Sequence, residues 1–445
     1  MSLLNNKVKN SIFVFSCALT LSTTPALGEN LLQVYQHAKK NDTQLKISET
    51  NFLATLEKRP QVTSALKPRV DLGANASYNL AYQGRTLRSD YENGSLNFGY
   101  DLTLSKPIIN KQLKAQIAQV DAAILQAKAG LEIEKQNLIV RVAEAYFQFL
   151  NAEETLAFRK AERTAIGRQL NQVKAYFDAG RSAITDVKEA QARYDLTNAQ
   201  MVAAQQQINV ARESLRAITT KYYKNIKGAS NNIPLLNPKP NNIAAWEKTA
   251  IANNPQIIVA QHAIKVAQKN VDIERAAKAP TLSLFAKHTG SSTFGEDAVD
   301  RDSLNASVGI NFKMPILEGG NIDSKVREAR INLKVSRQKL ELQKRLTAQQ
   351  TRAAYLTILS GLSQVKALKQ ALNSTQTAAN ATQAGFEAGT RTAVDVLLSL
   401  RETFSAKRDY SNARYDYLLN TLRLKQASGT LSEKDIAGLS KLLTK

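Results

Sequence analysis

Residues 176–187 read YFDAGRSAITDV, and residues 385–396 read GFEAGTRTAVDV. Phe177 pairs with Phe386, Ala179 with Ala388, Gly180 with Gly389, Asp186 with Asp395 and Val187 with Val396, all at one offset of 209 without a gap. A chain that repeats itself over such a distance folds as two similar units, so the repeat governs every other reading. Each copy lies in a long stretch without proline: 126 residues between Pro107 and Pro234, and 130 after Pro315. The flanks are rich in Ala, Gln, Glu, Lys and Leu, which are good helix formers. Both copies read as tight turns between two long antiparallel helices. Gly180 and Gly389 take the left-handed position that ends the first helix of each pair.

The duplication extends beyond the tips. Residues 250–257, AIANNPQI, echo residues 38–45, AKKNDTQL, and Pro315 answers Pro107. The chain divides into a first repeat at 29–228, a linker at 229–242, a second repeat at 243–428 and a C-terminal segment at 429–445. Within each repeat an opening helix leads to a β-hairpin (69–106, then 281–314). A long helical hairpin follows (107–220, then 315–427). The first opening helix is expected over 31–56, with Pro60 and Pro68 ending it. The long helices are expected from Ile108 and from Ile316, with returns over 183–217 and 393–427.

Between these helices the period changes from 3.6 to 2. Val70, Leu72, Ala74, Ala76, Tyr78 and Leu80 alternate with Asp71, Gly73, Asn75, Ser77 and Asn79. Leu96, Phe98, Tyr100, Leu102 and Leu104 alternate with Asn97, Gly99, Asp101 and Thr103, and residues 304–312 do the same. A polar loop, 83–94, joins the first two strands. Strands of about 10 residues with one apolar and one small-polar face suit an outer-membrane barrel wall, or equally a soluble hairpin with one face on a core. Four strands are too few to close in lipid, so a barrel needs several copies: two for eight strands, three for twelve.

The stretch from Ile108 to Asp178 is 71 residues, a rod on the order of 100 Å if fully helical. Leu113, Ile117, Val120, Ile124, Ala127 and Leu131 keep coiled-coil spacing, which resumes at Leu138 after a slip at Glu134.

Residues 1–28 read as a secretory signal, with Lys7 and Lys9, an apolar run from Ile12 to Leu21 and a small-residue site at Ala26-Leu27-Gly28. The single cysteine, Cys17, falls inside it, so the remainder has neither disulfide nor cysteine metal site. That remainder carries 58 basic and 38 acidic side chains, spread along the helices. Such a surface favours solubility and contact with anionic head groups. His37, His262 and His288 are scattered and no catalytic constellation or phosphate loop is present, so no enzyme, cofactor or metal is expected. A basic exported coiled-coil scaffold, or a nucleic-acid binder, would account for charge and helices but not for the strands or the duplication.

Thr392 and Asp395 fit a helix capping box, and Asp186 holds the matching place. Symmetry would also turn one tip acid into a ring that binds cations; the two readings are compatible.

With FEAGTRTAVDV at 386–396, NARYDYLLN at 412–420, GTL at 429–431 and AGRSAITDV at 179–187, the sequence resembles the TolC family of outer-membrane efflux channels. The resemblance implies a mainly α protein with a membrane β-barrel, a homotrimer of twelve strands continued by a twelve-helix tunnel through the periplasm of a Gram-negative cell. Pro107 and Pro315 would mark the change from strand to helix. The segment after Ala427, with the linker near 233–240, would form an equatorial belt. It also implies a passive duct for drugs, toxins or proteins. Energy would come from an inner-membrane transporter of RND, ABC or MFS type, and a periplasmic adaptor would dock at the tips. Carried over by position, Arg391 would link to Thr185 and Asp186, and Asp395 would line the aperture. The family's tyrosine latch is Phe386 here, and its second ring acid is Leu398. A weaker closed state and weaker block by polyvalent cations follow from those two departures.

Overall fold

The structure is a computed structural model that describes residues 28–82, 92–228, 234–295 and 301–443. The expected signal, apart from Gly28, and most of the 83–94 loop lie outside the described residues. No described helix is long and apolar enough to cross a membrane.

The chain opens with α1 (Leu31–Asn41) and α2 (Thr43–Ser64), not with the single helix expected over 31–56. The break is at Asp42, whose backbone is extended and whose carboxylate accepts the Leu45 N–H at 2.7 Å. A short acid that satisfies an orphan N–H restarts a helix at little cost. Pro60 does not end α2 but lies within it, on an exposed face. The second repeat does likewise: α5 (Ile243–Asn253) stops at Asn254, which caps α6 (Pro255–Ala276) by accepting the Gln256 N–H at 2.8 Å.

Four strands, β1 (Arg69–Tyr82), β2 (Glu92–Ile109), β3 (Thr281–Gly295) and β4 (Arg301–Lys313), form one antiparallel sheet in the order β1-β2-β3-β4. The β2–β3 pair joins the two repeats. Directly opposed residues share a face. Val70 opposes Leu104, Leu72 opposes Leu102 and Ala76 opposes Phe98. Leu284 opposes Ile310 and Ala286 opposes Val308 on the same side. The other face carries Asp71 with Thr103, Ser77 with Asn97, and Thr289 with Asn305. The apolar face is uncovered: Leu72 is 73 %, Leu304 76 % and Val308 78 % exposed. The outer edges of β1 and β4 have no partner strand among the described residues.

The strand-to-helix junctions differ. β2 runs through Pro107 to Ile109 with a register shift between them, and Asn110 then caps α3 (Lys111–Asp178) by accepting the Leu113 N–H at 3.0 Å. β4 stops before Pro315, and residues 314–320 lead through Gly319 and Gly320 to α7 (Asn321–Glu387). The long helices therefore begin at Lys111 and Asn321, not at Ile108 and Ile316. They return as α4 (Ile184–Thr219) and α8 (Ala393–Ala427). α3 has 68 residues, about 100 Å of helix, against 36 in α4. Its upper half packs on α2 and α6 instead.

The main core lies midway along the long helices. Tyr146, Phe149 and Leu150 of α3, Leu215 of α4 and Leu424 of α8 are fully buried there with Ile436 of α9 (Glu433–Leu443). The linker reaches the same level, where the Tyr417 hydroxyl donates to the Leu236 carbonyl at 2.6 Å. The seam from Leu138 to Leu156 is buried in this core, and the slip at Glu134 has a cause. Glu134 faces Arg141 at 2.5 Å, and Arg141 also holds Asp42 at 2.9 Å. One guanidinium thus serves a buried carboxylate on the seam and the cap between α1 and α2.

Replacing Arg141 with Met would leave Asp42 and Glu134 buried without their shared cation. The expected loss is about 3 kcal/mol, read as a lower thermal unfolding midpoint of the detergent-extracted protein. α9 is held in part by ion pairs from Lys39 to Glu433 and from Lys425 to Asp435. The Lys39 hydrogen bond holds the Glu433 carboxyl below its ordinary range. Burial pushes Asp435 up, but hydrogen bonds from Lys425 and Ser432 outweigh it and hold that carboxyl low as well. A depressed carboxyl contributes stability that is present at neutral pH and lost as the group protonates. Protection of the α9 amides, taken relative to the intrinsic exchange rate and to the α3 core, should fall as pH drops from about 4.5, the ordinary Glu value, through these lowered values.

Candidate gate at the helical tips

Both long hairpins turn on the same backbone device. At the first tip Gly180 has φ 71°, Arg181 N–H donates to the Tyr176 carbonyl at 2.7 Å and Gly180 N–H to that of Phe177 at 2.9 Å. At the second, Gly389 has φ 77°, Thr390 N–H donates to the Gly385 carbonyl at 2.8 Å and Gly389 N–H to that of Phe386 at 3.0 Å. This is the Schellman pattern, which satisfies the last carbonyls of a helix and calls for glycine at the left-handed position.

The returning helices start on acids. Asp186 accepts from the Ser182 hydroxyl at 2.7 Å and from the Ala183 N–H at 3.3 Å. Asp395 accepts the Thr392 N–H at 3.0 Å while Thr392 Oγ1 accepts the Asp395 N–H at 3.2 Å, a reciprocal capping box. The Thr392 backbone and hydroxyl hydrogen bonds, with a smaller contribution from the Arg391 charge, hold the Asp395 carboxyl below the usual range. Asp395 is therefore an anion at neutral pH and into mild acid.

The Arg391 N–H donates to the Gly385 carbonyl at 3.2 Å, but its guanidinium makes no hydrogen bond or ion pair among the described residues, and its stem lies over Gly385, where an added Cβ would sit 2.8 Å from Arg391 Cγ. Within the chain it is not joined to Thr185, which is exposed, or to Asp186, whose Oδ2 is occupied by its own helix start. The two tips meet instead through Tyr176 and Phe386, with ring centroids 5.5 Å apart at 34°. The Arg181 guanidinium lies 4.8 Å from the Tyr176 ring centre, within range for a cation–π contact. Sequence reasoning did not identify Tyr176 as a contact. The repeat aligns it with Gly385, so equivalence by repeat gives no hint that Tyr176 packs against Phe386. Behind the tips Ile166, Leu170, Ala190 and Leu397 form a second buried cluster. Leu398 is part-exposed beside a cleft of about 400 Å³ between α4 and α8. Pro107 and Pro315 lie at the far end of the long helices, at the strand junctions.

An open, two-faced sheet on long paired helices defines an outer-membrane channel fold, and comparison with known proteins agrees. The sequence matches the outer membrane efflux protein family over residues 34–220 and 246–430. It is 34 % identical to the outer membrane protein TolC of Escherichia coli over 96 % of this chain and 88 % of that protein. It is 28 % identical to the alkaline protease secretion protein AprF of Pseudomonas aeruginosa over 95 % of this chain and 89 % of that one. The fold matches the Campylobacter jejuni CmeC outer membrane channel with a TM-score of 0.73 at 18 % identity, over 99 % of this chain and 98 % of that one. The chain belongs to the outer membrane efflux protein family. It is an outer-membrane channel for efflux or type I secretion, and works within a multi-part export system.

Thr392→Ala would remove one arm of the capping box at about 1 kcal/mol. Hydrogen exchange in the first turn of α8 should speed up, with the middle of α8 unchanged.

Proposed function

We propose that three copies of this chain close into one twelve-strand barrel, continued by twelve long helices as a tunnel gated at the tips. The observation that carries this reading is the four-stranded sheet with an uncovered apolar face and two unpaired edges. Backbone groups at such edges must find partners in lipid, and β4 of one copy against β1 of the next supplies them. An exported scaffold or a nucleic-acid binder would leave that apolar face in water, where a patch of this size calls for a partner.

The duct is passive: an inner-membrane transporter of RND, ABC or MFS type drives export, and a periplasmic adaptor engages the helical ends. Drugs, toxins or proteins are the cargo. Three copies place three Asp395 carboxylates around the axis, already ionised, as a ring that favours cations. Arg391, whose guanidinium has no ion-pair partner among the described residues, reaches Thr185 and Asp186 across the closed end, where Asp186 Oδ1 remains open to it. With Leu398 in place of a second acid, the ring is single.

The test is conductance of the detergent-extracted oligomer in planar bilayers. Wild type should give small, cation-preferring openings. Arg391→Ser should enlarge them several-fold, and Asp395→Ala should abolish the cation preference with little change in size. Openings indifferent to both changes would move the gate elsewhere, and an oligomer mass other than three chains would remove the twelve-strand barrel.

A further inference from the structure

About 25 Å back from the tips, by helical rise, a cleft of about 310 Å³ lies where α3, α4 and α8 meet. Its walls carry four arginines, Arg159, Arg193, Arg401 and Arg408, against two acids, Glu162 and Glu402. Glu162 is 2 % exposed, and one of its oxygens serves two guanidiniums: Oε2 accepts from Arg159 at 2.8 Å and from Arg408 at 3.2 Å. Those two side chains are themselves largely covered, 20 % and 14 % exposed. Glu402 is engaged by Arg401 from the adjacent position. Arg193 is half-buried, and its guanidinium has no hydrogen-bond or ion-pair partner among the described residues. Burial, and then the charge of Arg159, pull the Arg408 pKa down, and Glu162 and Asp409 only partly offset them. Farther out, Asp409 is near Arg408 and Glu189 lies one turn from Arg193; neither forms an ion pair with them.

The lining thus holds two positive charges in excess, in a space covered at Arg159 and Arg408 and open at Arg401 and Glu402, with the Arg193 donors and one amino group of Arg401 unspent. Concentrating like charges at low dielectric is costly unless an anion offsets them. We infer that this cleft is a binding site for a small tetrahedral oxyanion of the phosphate class, held by Arg193 and Arg401 with Arg159 and Arg408 behind them. A planar guanidinium matches two oxygens of such an ion at once, and a dianion cancels the excess. The occupied site bridges the first helical hairpin to α8 of the second, which neither the tip aromatics nor the Asp395 ring does at this level. It is independent of which cargo passes and of the tip gate.

The experiment is equilibrium dialysis of inorganic phosphate against the detergent-extracted full chain, at constant ionic strength balanced with chloride. One saturable site per chain is expected, competed by sulfate, with hydrogen exchange slowed around residues 193–200 and 401–408. Arg193→Gln should weaken binding about tenfold, the loss of one charge-assisted contact. Lys188→Gln, an exposed charge change on the same helix outside the cleft, should leave it unaltered. Uptake that chloride abolishes, or that survives both Arg193→Gln and Arg401→Gln in correctly assembled protein, would overturn the site.

Discussion

A β-strand in hydrocarbon can satisfy its N–H and C=O groups only on another strand. Everything above the helices follows from that constraint. The sheet pairs β2 with β3 across the repeat, so duplication has already removed two edges inside one chain. Two remain among the described residues, at β1 and β4, and the proposed trimer is the arrangement that pairs them. The apolar face obeys the same logic: residues such as Leu304 and Val308 gain nothing from exposure to water and suit a lipid exterior.

Below the sheet, the helices solve a different problem. α3 and α7 are roughly twice as long as their returning partners. Their N-terminal halves, which the returning helices do not reach, are flanked by the helices that open each repeat, α2 and α6. Asp42 and Asn254 make that possible, since each breaks an otherwise continuous helix at the level where α4 and α8 run out. Arg141 ties the first break to the buried seam. The linker and α9 then wrap the joint, and the largest core of the molecule forms there. That level is also where the most chain segments meet.

Much of this was legible in the sequence because it is periodic. The repeat, the alternation of the strands and the glycines of the tips all report backbone geometry directly, and Gly180 and Gly389 need little context. What escaped reading depends on partners distant in sequence. Asp42 breaks a helix whose apolar spacing runs straight through, because its cap and Arg141 cooperate. Pro60 is tolerated in α2 because that stretch faces solvent. Pro107 extends a strand because its missing N–H falls at a register shift. The contact between Tyr176 and Phe386 joins positions that the repeat does not pair, so no internal comparison could suggest it. The cluster around Glu162 draws on three helices and carries no local motif.

That aromatic contact bears on the gate proposed at the tips. A latch of hydroxyl and carboxylate weakens with ionic strength and with protonation, because its energy is Coulombic. A contact between two tilted rings is held by dispersion and by exclusion of water, which salt leaves intact or strengthens. A gate built as proposed therefore keeps a part of its closure in brine and in acid, and yields most readily to amphiphiles that slip between two faces of carbon.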